Sequence, residues 1–424
     1  MRQARRVAII GAGWGGIAAA VEATRLGHSV TLFEMAKQCG GRARSVEIDG
    51  MLLDNGQHIL IGAYAEVLRL MRLVGANPEE LLLRTPLALC DATGKGLTLR
   101  PGPASIALAL AVARHPTWTP RTKLVLAIEA GRWALAGFNC AASLTVAALA
   151  ARLPSEVRRE LIDPLCVAAL NTPSDQASAT VFLRVLRDAL FATAGSSDLL
   201  LPKVGLSEVF PVPALQWLRD RGAAIFTATR IDELRSAGES WSVDGKLFDR
   251  VVLAAAPSEA ARLVEPHAAH WARIARSLPF EPIMTIYVRC PGARLPFPML
   301  ALATDAHRPA QFVFDRAQLG GPDGLLAFVI SGAGDWVERG SAQAIQACLA
   351  QAAQALGSQI RGPFQPVQAL TEKRATFRCV AQLERPSMQI AAGLCAAGDY
   401  VAGPYPATLE GAVRSGVNAV HGLA

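Results

Sequence analysis

Apolar positions change their spacing several times along the 424 residues. Residues 7–10 form an unbroken apolar run, too short for a helix and suited to a strand buried on both faces. Residues 17–26 follow with Ala-rich helical character, and 30–33 repeat the strand pattern, so the chain opens as a βαβ unit. From about Pro86 to Pro202 this pattern gives way to Ala/Leu-rich stretches interrupted at Pro116, Pro120, Pro154, Pro164 and Pro173, which predicts an inserted, largely helical region. Strand-like runs return at 224–227, 241–243 and 251–254, then at 284–288, 311–314 and 325–330; the later group predicts a second sheet. From Ala391 a glycine-punctuated strand, turn and helix pattern returns, so the two ends of the chain are expected to meet in one domain. No internal repeat or low-complexity segment interrupts this order.

Composition narrows the class. Apolar residues make up 51% and charged residues 18%, yet no run of 18 apolar residues offers a membrane span. The net charge of +7 is dispersed, without basic runs or interleaved aromatics. It points to anionic lipid or phosphorylated metabolites as partners and against nucleic acid. Gly11 cuts the first apolar run far short of a signal-peptide core, so a cytoplasmic location is expected. The eight cysteines are scattered, with no C-x-x-C and no Cys/His cluster; reduced, mostly buried thiols are expected, and no metal.

The chemistry begins at Gly11-Ala12-Gly13-Trp14-Gly15-Gly16, a G-x-G-x-x-G placed between a strand and a helix. Gly11 permits the tight turn, Gly13 lets a pyrophosphate approach the backbone, and Gly16 allows close helix packing; the helix N-terminus presents N–H groups to negative charge. Glu34 ends the second strand, where a carboxylate accepts hydrogen bonds from an adenosine ribose and repels a 2′-phosphate, which leaves FAD or NAD as ligand. Gly40-Gly41-Arg42 adds a second pyrophosphate clamp, and Gly398-Asp399 together with the helix entered near Leu409 supplies a ribityl partner and a helix N-terminus for a reduced flavin ring. These favour FAD.

The three segments resemble the flavin-containing amine oxidase and phytoene desaturase superfamily, whose C-terminal G-D…E-G-A-x-x-S-G pattern is completed by Gly411-Ala412-Val413-Arg414-Ser415-Gly416. Asp54-Asn55-Gly56-Gln57-His58, Ala169-Leu170-Asn171-Thr172-Pro173 and Gly403-Pro404-Tyr405-Pro406-Ala407-Thr408 are similar to the squalene-associated branch, the hydroxysqualene dehydroxylases of bacterial hopanoid pathways. The resemblance spans essentially the whole chain. It implies an α/β fold: an FAD-binding Rossmann-like domain of glutathione reductase type, built from 1–85, 203–265 and 385–424. A mixed-sheet and helical substrate domain takes 86–202 and 266–384. It assigns Gly11, Gly13, Gly15, Gly16, Gly40, Gly41 and Arg42 to the pyrophosphate, Glu34 to the ribose, the Ile231 backbone to adenine, Gly398 and Asp399 to the ribityl chain, and the Leu409 backbone to the flavin O2. Gly56, Gln57 and His58 fall in a turn that runs along the flavin. The link to FAD is expected to be noncovalent, because Cys395 sits on the strand before Gly398.

The implied reaction replaces the allylic hydroxyl of hydroxysqualene by hydrogen, with hydride from the reduced flavin. His58 is the leading candidate to assist the departing oxygen, with Tyr405 and Asp54 as alternatives; Asp54 is better suited to bracing its turn. Asn171 reads as a helix stop that could instead aim its amide at the substrate. Ser331-Gly332-Ala333-Gly334 imitates a second fingerprint but has Val337 where the third glycine belongs, so reduction by NADPH, a reductase or a partner protein is expected. Residues 104–137 combine apolar runs with Trp118, Trp133 and cations, as either a membrane-facing surface or a lid over a substrate tunnel. A desaturase or oxidase of another isoprenoid, a noncatalytic FAD-binding scaffold and an amine oxidase are the competing functions.

Overall fold

The computed structural model describes residues 4–94, 96–358 and 360–423. The opening βαβ unit forms as expected: strand Arg6–Ile10, helix Trp14–Arg25 and strand Ser29–Phe33. Arg6–Ile10 is central, with Ser29–Phe33 and Arg250–Leu253 parallel on its two sides. Ala224–Phe226 extends one edge in parallel, and Leu394–Ala396 extends the other. Gln389–Ala391 closes that second edge as an antiparallel partner. One sheet thus draws strands from three separated stretches of chain, and its two ends do meet. Ile9, Leu32, Val252 and Cys395 point into the core shared with the helices, all nearly inaccessible to water. The connection after Ala224–Phe226 is a three-stranded antiparallel ribbon, Leu234–Ala237, Ser240–Val243 and Lys246–Phe248, in place of a helix.

The second sheet is antiparallel, in the order Met299–Ala301, Phe312–Asp315, Leu325–Ile330, Phe280–Arg289, Gln365–Phe377. Alternation along its strands splits its residues between two faces. Met284, Ile286, Val288 and Phe328 pack under helix Ser341–Leu356, whereas Tyr287, Phe312, Phe314 and Val329 belong to the core that faces the rest of the molecule. The chain is therefore an α/β protein with a parallel dinucleotide-type sheet and a separate mixed portion.

Three features depart from the sequence expectation. Leu199–Pro202 pairs with Leu60–Ile61 and Leu82–Thr85, so the return to the N-terminal segment comes at this strand, ahead of the boundary expected at 203. The region after Pro86 is largely helical, with Ala104–Arg114, Pro120–Leu135, Asp163–Leu170 and Ala179–Leu190, but begins with a short hairpin, Ala88–Cys90 and Gly96–Thr98. Trp118 and Trp133, expected either at a membrane-facing surface or in a lid over a tunnel, are 5% and 8% exposed, so they do not serve as outward-facing anchors. Trp118 stacks on His115 and donates Nε1 to Glu160 at 2.9 Å. What the helix pair does present outward is aliphatic: Ile106, Leu110, Leu124, Ile128 and Leu135 are five of the eleven exposed large apolar side chains among the described residues. No helix among the described residues is long and apolar enough to cross a membrane.

Candidate active site

The fingerprint glycines are demanded by the backbone around them. Gly11 has φ +103°, and a Cβ there would run into the Ala254 carbonyl. Gly13 caps helix Trp14–Arg25 without a side chain, and no acidic residue occupies the first turn. A Cβ on Gly13 would meet only the Gly41 Cα, at 3.9 Å, so an anion has room directly over the helix N-terminus. Gly40 is tied to this loop by its N–H to the Ala12 carbonyl at 2.8 Å. Glu34 accepts from the Ala12 and Ala36 N–H groups at 2.7 and 2.8 Å, which holds its half-buried carboxylate at the strand end with lone pairs to spare. Backbone bonds to Phe226 and Thr229 flank Glu34 and bring Ile231 close by; the buried Ile231 already receives Arg262 Nη2 on its carbonyl at 2.7 Å. The cradle fits a dinucleotide.

Two of the remaining glycines serve helix packing. A Cβ on Gly15 would lie 2.8 Å from the Ala412 carbonyl oxygen, and one on Gly416 would collide with the Gly15 carbonyl. The fingerprint helix and the C-terminal helix Leu409–Gly422 therefore cross almost backbone to backbone. Ser415 supports the same junction, accepting the Gly398 N–H at 3.0 Å. Glu410 is fully buried and points away, accepting from the Glu66 and Val67 N–H groups at 3.0 Å each and pairing with Arg414 at 2.6 Å. Thr408 caps the C-terminal helix through the Gly411 N–H at 2.9 Å, placing the Leu409 end beside Gly398 and Asp399. Cys395 lies elsewhere: its sulfur packs near Gly422, at the far end of that 14-residue helix, roughly 20 Å away at the helical rise per residue. Burial pushes its thiol up to about 11.

Arg42 reaches along the groove to Asp399 at 2.5 Å and donates to the Ala375 carbonyl at 2.8 Å. Asn55 bonds the Arg42 carbonyl at 3.0 Å and Glu372 at 3.1 Å. The G-G-R and D-N-G-Q-H segments are thus one structure, braced on strand Gln365–Phe377.

Near that brace lies a cavity of about 220 Å³, counting its opening to solvent, lined by the polar side chains of Asp54, Gln57, His58 and Arg316 together with Leu201, Pro202, Leu206, Phe314 and Leu319. His58 is half-buried, its Nδ1 3.4 Å from the Gly56 carbonyl. Desolvation outweighs that contact and the nearby Asp54, holding the imidazole below its ordinary range and hence neutral near pH 7. Asp54 accepts from Ser45 Oγ at 2.9 Å and the Leu206 N–H at 2.8 Å, with Arg316 at 3.5 Å. It braces, as expected, but ties its turn to the segment entering helix Leu206–Val209 instead of capping its own N–H groups. Gln57 is locked between Tyr287 and Arg316.

Tyr405 does not line this cavity. Its hydroxyl bonds Asp188 and its ring lies between Arg184 and Arg414, at 5.6 and 5.1 Å. Tyr400 is buried against Trp271. Two tyrosines so placed do not form an aromatic cage, and the guanidiniums around Tyr405 would repel an ammonium group. Asn171 ends helix Asp163–Leu170 in the left-handed region at φ 46°, and its amide joins Thr376 Oγ1 to the Gly332 N–H at 2.9 and 2.8 Å, so both of its roles are structural. The strand before Gly332 is antiparallel to its neighbours, unlike the parallel βαβ setting of a nucleotide fingerprint. Sequence reasoning missed Arg316, Tyr287 and the 201–206 wall. The Pro202 to Gly205 break after an apolar run hinted at the last; nothing distinguished Arg316 from any arginine after a strand.

The model of the family described as flavin containing amine oxidoreductase matches residues 14–423. The chain is 26% identical to hydroxysqualene dehydroxylase of Sinorhizobium fredii over 97% of this chain and 96% of that protein. It is 27% identical to hydroxysqualene dehydroxylase of Rhodopseudomonas palustris over 97% and 96%. Its fold is similar to the crystal structure of an oxidoreductase from Methanosarcina mazei, with TM-score 0.72, 16% identity and coverage of 98% of this chain and 100% of that one.

Proposed function

Because the chain belongs to the family of flavin containing amine oxidoreductases, and FAD is its cofactor, we propose that it reduces hydroxysqualene to squalene in squalene and hopanoid biosynthesis. The observation that carries this reading is the end-to-end likeness to hydroxysqualene dehydroxylases. The cavity supports it, since a lining that mixes a few polar groups with apolar side chains suits an alcohol on a hydrocarbon chain.

When bound, noncovalently, the flavin would supply hydride chemistry at the carbon that loses oxygen. The Gly11 to Gly16 loop with Gly40 and Gly41 receives the pyrophosphate, Glu34 the ribose and Ile231 the adenine. Arg42 and Asp399, already paired, would hold the ribityl and phosphate region together with Gly398, and the helix N-terminus at Leu409 would offer its N–H groups to the ring. Gly56 and Gln57 shape the turn beside it. His58, neutral at rest, relays a proton to the departing oxygen, and Asp54 braces the turn that carries it; Tyr405, outside the cavity, takes no part. Electrons enter from outside the chain, from NADPH or a reductase. The aliphatic stripe on Ala104–Arg114 and Pro120–Leu135 rests on membrane lipid at the inner face of the cytoplasmic membrane, with Arg114 and Arg121 toward anionic headgroups.

The test is an anaerobic incubation of dithionite-reduced holoenzyme with hydroxysqualene. Squalene is the expected product; unchanged alcohol beside reduced flavin overturns the reading. Products with added double bonds would assign the chain to the desaturases.

A further inference from the structure

Arg316 follows strand Phe312–Asp315 and opens the short turn Arg316–Leu319. Asp315 anchors that turn: it accepts from the Ala317 N–H at 3.1 Å, the Leu295 N–H at 3.0 Å and Gln318 at 2.8 Å. Gly320 ends the turn at φ +76°, where a Cβ would strike the Lys203 carbonyl. The turn is therefore wedged between the second sheet and the 201–206 wall, and the arginine side chain leaves it only 11% exposed.

A guanidinium carries five N–H donors in a rigid fork. Nη1 donates to Gln57 Oε1 at 3.0 Å and Nη2 stands 3.5 Å from Asp54 Oδ2. Gln57 is in turn held by Tyr287, whose hydroxyl receives Nε2 at 2.8 Å and donates to the Asp54 carbonyl at 2.9 Å. The fork is thus oriented from two sides, and these bonds use at most two of its donors. Among the described residues that line the cavity Arg316 is the one permanently charged cation, and Leu201, Pro202, Leu206, Phe314 and Leu319 contribute apolar side chains.

Resting on the reaction proposed above, we infer that Arg316 is the donor that seats the substrate's alcohol oxygen and takes up its charge as the carbon–oxygen bond breaks. The bond's electron pair leaves with oxygen, which gains one proton by way of His58 from water at the cavity mouth and departs as water. The carbon gains a hydride, and the reduced flavin is oxidised by two electrons. An arginine cannot give up a proton at neutral pH, so its contribution is a charged hydrogen bond that strengthens as negative charge develops.

The experiment measures equilibrium binding to the oxidised holoenzyme, where no turnover occurs, through perturbation of the flavin spectrum. The probes are hydroxysqualene, squalene and the ketone of the same carbon skeleton. In the wild type the alcohol and the ketone both bind more tightly than squalene, because Arg316 donates to either oxygen. A ketone bound no better than squalene overturns the inference without any variant. In Arg316→Gln the alcohol weakens by about 10- to 100-fold, the size of a charged hydrogen bond, while squalene is unchanged and bound flavin confirms folding. A variant that keeps the wild-type preference overturns it too. If wild-type enzyme fails to convert hydroxysqualene at all, the proposed reaction falls first, and the two failures are told apart.

Discussion

His58 illustrates how one residue's surroundings set its chemistry. Its ring is neutral in the folded protein because burial disfavours the charged form. In the unfolded chain it takes up a proton as pH falls through about 6.5; in the fold it does so only at lower pH. The unfolded state then binds more protons across that window, so stability falls with falling pH and is whole above it. Comparing melting temperatures from pH 8 to 5.5, the His58→Asn variant should lose less than the wild type; parallel curves would refute a buried neutral imidazole. The candidacy of His58 came from the family resemblance of Asp54 to His58, which implies a turn running along the flavin. Arg316 had no such signal: only the wedge formed by Asp315, Gly320 and Lys203 aims it at Gln57, across more than 250 positions of chain.

At the scale of elements, the fingerprint helix and the C-terminal helix behave as a single unit. Gly416→Ala should separate them, because the added methyl meets the Gly15 carbonyl; overpacking of this kind costs about 1–3 kcal/mol. Urea unfolding and flavin retention would both register it, and full retention of flavin with unchanged stability would rule the crossing out as critical. Glu410 links the same unit to helix Ala65–Leu73. Glu410→Ala should cost about 1–2 kcal/mol by leaving two helix-terminal N–H groups without their acceptor, again read in urea. The strands and helices with clean periods, such as Leu325–Ile330, were legible in sequence. Strand Gln365–Phe377 was not, because register shifts between Glu281 and Ile283 and between Tyr287 and Val288 break its alternation, and its Glu372-Lys373-Arg374 run reads as solvated. Yet it is this strand that carries Ala375 and Glu372 to the Arg42 and Asn55 brace.

For the whole molecule, the open question of the helix pair 104–137 turns on which side chains face out. The tryptophans do not; the aliphatic residues do, Leu135 being 92% exposed. Replacing Leu124, Ile128 and Leu135 together by Ser should leave the fold intact, since all three are exposed, and reduce co-sedimentation with anionic vesicles about a hundredfold or more, given the transfer energy of three large side chains. Undiminished vesicle binding would assign the surface to another role.

By itself the sequence determined the dinucleotide loop, the acid at the strand end and the return of the C-terminus to the first sheet, because each depends on local backbone needs: positive φ, absence of a Cβ, a helix start. Its resemblance to a family extended that to the whole chain. The tertiary structure alone decided the site's far wall, the burial of Trp118 and Trp133, the direction of Glu410 and the placing of Arg316. Those depend on which faces of distant elements pack together, and a contact across hundreds of residues leaves no period or spacing in the chain to be read.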